Sequence, residues 1–168
     1  MTIRNLALAA ALSMCAATAW ADSYKAGQIE VDDLWVRATA PGQPNGAGYF
    51  EIENEGKTAD RLVSVRSDAA ERVELHNVVT ENGVARMRAV DGGVEVPAGG
   101  ELKFAPGGYH VMFLKVKGAF AEGKDVPATL TFEKAGDVAV KFTVKPLSYS
   151  PGAGGHAMGG HDMGGMKH

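Results

Sequence analysis

The chain is 168 residues long, carries a net charge of −3 and contains one cysteine. It has no basic block, so nucleic acid and anionic membrane surfaces are poor partners. Cys15 lies in an apolar N-terminal stretch, which removes thiol chemistry and disulfides from the rest of the chain.

That stretch reads as a cleaved leader, residues 1–21. Arg4 supplies a positive start, Leu6 to Ala17 is apolar, and Ala19-Trp20-Ala21 is an A-x-A cleavage site. The apolar run is too short to span a bilayer as a stable helix. A lipid anchor on Cys15 is disfavoured, because bulky Met14 stands where such a site needs a small residue. The expected location is the periplasm, with no membrane insertion after removal of the leader. The mature chain starts at Asp22 with 147 residues and a net charge of −4, enough for one domain with a sizeable core.

Residues 22–27 read as a mobile lead-in. Ile29, Val31 and Leu34-Trp35-Val36 give strand signals around Asp32-Asp33, and residues 40–46 form a loop rich in turn residues. Gly48 to Glu53 alternates with the strand period, and Leu62 to Val65 is a further strand. Val73–Val79 and Val84–Val90 flank Asn82-Gly83, a strong hairpin signal. Val94–Val96, Leu102–Phe104, Tyr109–Val116, Ala128–Glu133 and Val138–Val144 complete the strands, with a short helical turn expected in 120–125. Many short strands between Gly and Pro turns predict an all-β Greek-key sandwich or barrel over residues 22–147. Residues 148–168 are Gly-rich and predict a disordered tail.

The histidines and methionines are segregated. Beyond the leader they occur only as His76, Met87, His110 and Met112 in the domain, and as His156, Met158, His161, Met163, Met166 and His168 in the tail. The core otherwise uses Val, Leu, Ile and Phe, whereas a methionine that only fills space could stand anywhere in it. Each residue has a bland reading taken singly. Met112 shares a strand face with Leu114 and Val116 and would serve as core. Met87 would be a filler between Arg86 and Arg88, and His76 an exposed histidine on the face of Glu74. The joint pattern favours a shared metal site. Imidazole and thioether together select copper, most naturally Cu(I), over Mg²⁺, Ca²⁺ or zinc. Without a thiolate it is not a blue-copper site. Simple alternation turns His76 away from the face of Leu75, so convergence with His110 and Met112 is expected to need a bulge or bend. The tail reads as a copper-capturing arm that takes Cu(II) through His and Cu(I) through Met.

Several segments together resemble the PCuAC family of periplasmic copper chaperones over about residues 27–145. They are Ala85-Arg86-Met87-Arg88, Val96-Pro97-Ala98-Gly99-Gly100 and Pro106 to Met112, with the spacing His76-x10-Met87-x22-His110-x-Met112. The family pattern has one residue fewer in the second gap, and the Asp91-Gly92-Gly93 turn can hold the surplus. The resemblance implies a cupredoxin-like β-barrel, Cu(I) at the four matched positions, and a non-enzymatic role. In that role copper is delivered towards the CuA centre of cytochrome c oxidase, alongside Sco-type proteins. Copper storage, or a metal-free β-sandwich assembly module with a metal-binding tail, is the alternative.

Overall fold

Alternating apolar and polar residues between tight turns form eleven strands and no helix in the computed structural model, which describes residues 22–151. In chain order they are β1 (Tyr24–Ala26), β2 (Ile29–Arg37), β3 (Asn45–Asn54), β4 (Asp60–Arg66), β5 (Ala70–Glu81) and β6 (Val84–Ala89). They continue with β7 (Val94–Val96), β8 (Glu101–Phe104), β9 (His110–Val116), β10 (Asp125–Phe132) and β11 (Gly136–Lys145). The expected lead-in is partly strand: β1 pairs with β2 through a turn at Gly27. The expected helical turn in 120–125 is absent, and β10 begins there at Asp125. The loop expected through Gly46 ends earlier, because Asn45 and Gly46 pair with Leu114 and Phe113 of β9.

The strands run in the order β6-β5-β9-β3-β2-β11-β10-β4-β7, with β8 pairing β3. Neighbours in space are often distant in sequence, the Greek-key signature. The β2–β11 pair is parallel and the other strand pairs are antiparallel. The sheet curls so that Phe142 of β11 meets Phe113 of β9 at 5.9 Å and Phe50 of β3 at 5.8 Å between ring centroids. These rings are fully buried, along with Ile52, Leu62 and Leu130. Each such side chain contributes about 1.5–3 kcal/mol by leaving water. Gly48 lets β3 approach this core, since a Cβ there would lie 3.0 Å from the Phe113 ring and 3.1 Å from Val36. The architecture is the expected all-β, cupredoxin-like one.

Two local features position the outer face. Asp33 takes φ 51°, and the β2–β3 register shifts between Asp32 and Trp35, which marks a β-bulge. One extra residue reverses the inward phase of β2. Ile29 and Val31 enter the core before the bulge, Leu34 and Val36 after it, and Trp35 is left opposite Tyr49. At the other end of the sheet, Asn82 (φ 51°) and Gly83 (φ 78°) both adopt the left-handed conformation of a two-residue hairpin turn joining β5 to β6.

Candidate metal centre

Strand β9 has two faces of different character. Val111 and Phe113 are fully buried and belong to the core. His110 and Met112 alternate with them and therefore share the opposite face. Strand β5 pairs antiparallel with β9, so that His76 stands opposite His110 and Glu74 opposite Met112. Leu75 opposes Val111 on the core side. Directly paired residues share a face, so His76 meets His110 without any bulge in β5. The bulge or bend expected from alternation is not needed, because the meeting face is the outer one. Both faces of β9 carry apolar residues, and the sequence period alone did not say which one is inward.

The two imidazoles lie edge to face, with ring centroids 5.7 Å apart. His110 is only 3% exposed. Its Nδ1 lies 3.0 Å from the Gly108 carbonyl oxygen. A carbonyl can only accept, so Nδ1 carries the proton and Nε2 holds the lone pair. The same carbonyl accepts from the Val78 amide at 3.3 Å, which ties the β5–β6 hairpin to the turn before β9. His76 Nε2 lies 2.8 Å from Glu74 Oε2, and Arg72 Nε lies 2.7 Å from the other carboxylate oxygen. The remaining ring nitrogens, His76 Nδ1 and His110 Nε2, are buried and have no hydrogen-bond partner. Two unpaired buried imidazole nitrogens on adjacent rings are costly as they stand. They fit a cation that accepts both lone pairs.

Electrostatics favour the neutral, ligating form of His110. Burial pushes the His110 pKa down; the Gly108 hydrogen bond opposes this and nearby His76 adds to it. The hydrogen bond from His76 is the main influence that holds the Glu74 carboxyl below the usual carboxylate range, with Arg72 assisting and desolvation opposing.

The sulfur donors are placed differently. Met112 is half-buried on the outer face of β9. Met87 pairs with Val78, two residues beyond the His76–Ala89 pair, and so shares the face of His76. It is 54% exposed, on a strand whose six residues are all exposed. The structure thus places His76, Met87, His110 and Met112 on one face. The tail residues His156, Met158, His161, Met163, Met166 and His168, and the leader 1–21, lie outside the described residues.

Three contributors went unread in the sequence. Glu74 is the i−2 neighbour of His76 on one face, and the strand period alone gives that face no sign of being covered. The Gly108 carbonyl left no side-chain signal. Tyr49 lies 6.4 Å from the His110 ring and 4.4 Å from Trp35, and Tyr149 covers Trp35 at 4.9 Å. That aromatic wall depends on the bulge at Asp33. Elsewhere, Glu30, Glu53 and Glu55 bring carboxylates within 4.8 Å of one another. They are largely exposed, and Lys25 pairs with Glu30 at 2.7 Å.

Fold and donor set first define a class: a cupredoxin-like β-domain with imidazole and thioether side chains gathered on one outer face. The LpqE-like family, described as "Putative lipoprotein LpqE-like", matches residues 29–144, and the chain belongs to that family. "Putative lipoprotein Lxx21020" of Leifsonia xyli subsp. xyli is 32% identical over 132 residues, covering 79% of this chain and 78% of that one. Among solved structures, the apo PCuAC domain from PmoF1 aligns with TM-score 0.64 at 30% identity, over 74% of this chain and 99% of that one. The copper-bound PCuAC domain from PmoF2 aligns with TM-score 0.63 at 26% identity, over 74% and 98%. The solution structure of CuI-DR1885 from Deinococcus radiodurans aligns with TM-score 0.53 at 25% identity, over 67% and 76%. The PCuAC resemblance read from the sequence is thus matched by the fold.

Proposed function

We propose that this protein is an exported, non-enzymatic copper carrier that binds Cu(I) through His76, His110, Met112 and Met87. The observation that carries this reading is the pair of buried, unpartnered nitrogens on facing imidazoles, flanked by thioethers. All four donors are neutral and two are soft, a set that favours Cu(I). The copper-bound PmoF2 domain and CuI-DR1885 support copper as cargo for this fold. Without a thiolate, the site can pass Cu(I) to a cysteine-bearing acceptor by ligand exchange. A Sco-type protein or the CuA subunit of cytochrome c oxidase has that chemistry. The tail captures further copper, including Cu(II) through its histidines, and raises its concentration near the domain site. The A-x-A motif supports export, and with it a periplasmic location.

The test is a Cu(I) competition titration of the full-length protein, with copper K-edge absorption to count nitrogen and sulfur ligands. A tight site with both ligand types, lost when His110 and Met112 are replaced together, is the expected result. A tight site that survives that double replacement sinks the assignment.

A further inference from the structure

Resting on the metal-site reading above, we propose that Glu74 is a positioning residue of the centre, selecting Nδ1 of His76 as its metal donor. Glu74 is two residues before His76 on the same face of β5, and its Oε2 lies 2.8 Å from His76 Nε2. An ionised carboxylate can only accept, so the proton of the neutral imidazole is drawn to Nε2 and the lone pair is left on Nδ1. Nδ1 is the His76 nitrogen that is buried without a partner.

The carboxylate is itself held. Arg72, two residues earlier on the same face, occupies Oε1 at 2.7 Å. The row Arg72–Glu74–His76 therefore fixes one imidazole from its far side, as the Gly108 carbonyl fixes His110. The two histidines present opposite nitrogens: Nδ1 from His76 and Nε2 from His110. This asymmetry follows from where each outer partner sits. A carboxylate on the second nitrogen also raises ligand basicity, and loss of such partners costs 10–100-fold in metal affinity in general.

Two variants of the full-length protein test this. In Glu74→Gln the amide oxygen goes to Arg72, which can only donate, and the NH2 turns a donor towards His76 Nε2; Glu74→Leu removes the acceptor altogether. Long-range ¹H–¹⁵N correlation spectra of the metal-free protein at pH 8 report the His76 tautomer, and bicinchoninate competition reports Cu(I) affinity. The wild type should show the proton on Nε2, and both Glu74→Gln and Glu74→Leu a mixed or Nδ1-protonated ring. Cu(I) binding should weaken roughly 10–100-fold in both variants. An unchanged tautomer in Glu74→Leu overturns the proposal. So does a Glu74→Gln protein that keeps the tautomer yet binds as weakly as Glu74→Leu, since Glu74 would then act as a ligand or a charge. Absence of tight Cu(I) binding in the wild type would refute the carrier reading instead, and the tautomer spectra would still decide the role of Glu74.

Discussion

The histidine pair and the edge methionine, Met87, are built in different ways. His76 and His110 are paired in register at the inner part of the sheet, covered from water, and each is held by a hydrogen bond on its far nitrogen. Met87 stands on an edge strand open to solvent along its whole length, on a hairpin that continues past the start of β9. In the proposed centre the rigid half would set where the metal binds. The exposed half can let go of it, or meet an incoming ligand, at little cost to the fold. The proposed carrier role would use both properties.

The contrast can be broken at several points. His110→Ala should cost most: Cu(I) affinity should fall by more than about 100-fold, beyond the range for an outer partner, when measured by chelator competition. Next, Gly83→Ala forces a Cβ onto a left-handed residue (φ 78°) and should destabilise the hairpin by roughly 1–2 kcal/mol. Denaturant titration would measure this, and hydrogen exchange should place the loss in β5–β6 rather than in the core. Met87→Ala should lower Cu(I) affinity by about tenfold or less, near 1.4 kcal/mol. It should leave thermal stability within about 0.5 kcal/mol of wild type. A Met87 effect as large as that of His110 would erase the distinction between the halves.

The smallest expected effect is on pH dependence. The folded pKa of His110 lies below its ordinary value of 6.5, so the unfolded chain takes up the proton first. Its contribution to stability is fully present above about pH 6.5 and declines as the pH falls through the folded pKa. Metal-free protein should therefore unfold at lower denaturant concentration at pH 5.5 than at pH 7.5. His110→Gln should flatten that difference, and an unchanged slope would mean that His110 is not buried in its neutral form.

Much of the fold was legible because its signals are local. Asn82-Gly83 dictates a hairpin through backbone conformation alone, and His110-x-Met112 shares a face through the strand period. What escaped depended on distant partners. The bulge at Asp33 decides which side Trp35 takes, and alternation read straight through it. The inward face of β9 is marked by Phe113, whose ring packs on that of Phe142, far away in sequence. Because that choice was open, the meeting of His76 with His110 looked geometrically difficult, although it follows from simple pairing on the outer face. Strand β1 was missed because its three residues gain strand structure only from β2.

The parallel pairing of β2 with β11 has a consequence for the order of events during synthesis. Trp35 to Arg37 find their partners in Thr143 to Lys145, at the opposite end of the domain. Contacts so far apart in sequence form slowly. As the ribosome releases the chain from its N-terminus, β2 waits with an open edge until the last strand emerges. The candidate ligands stand on β5, β6 and β9, which reach β2 through β3. A chain stopped before Gly136 would expose the edges of β2 and β10 together, and unpaired edges are templates for aggregation.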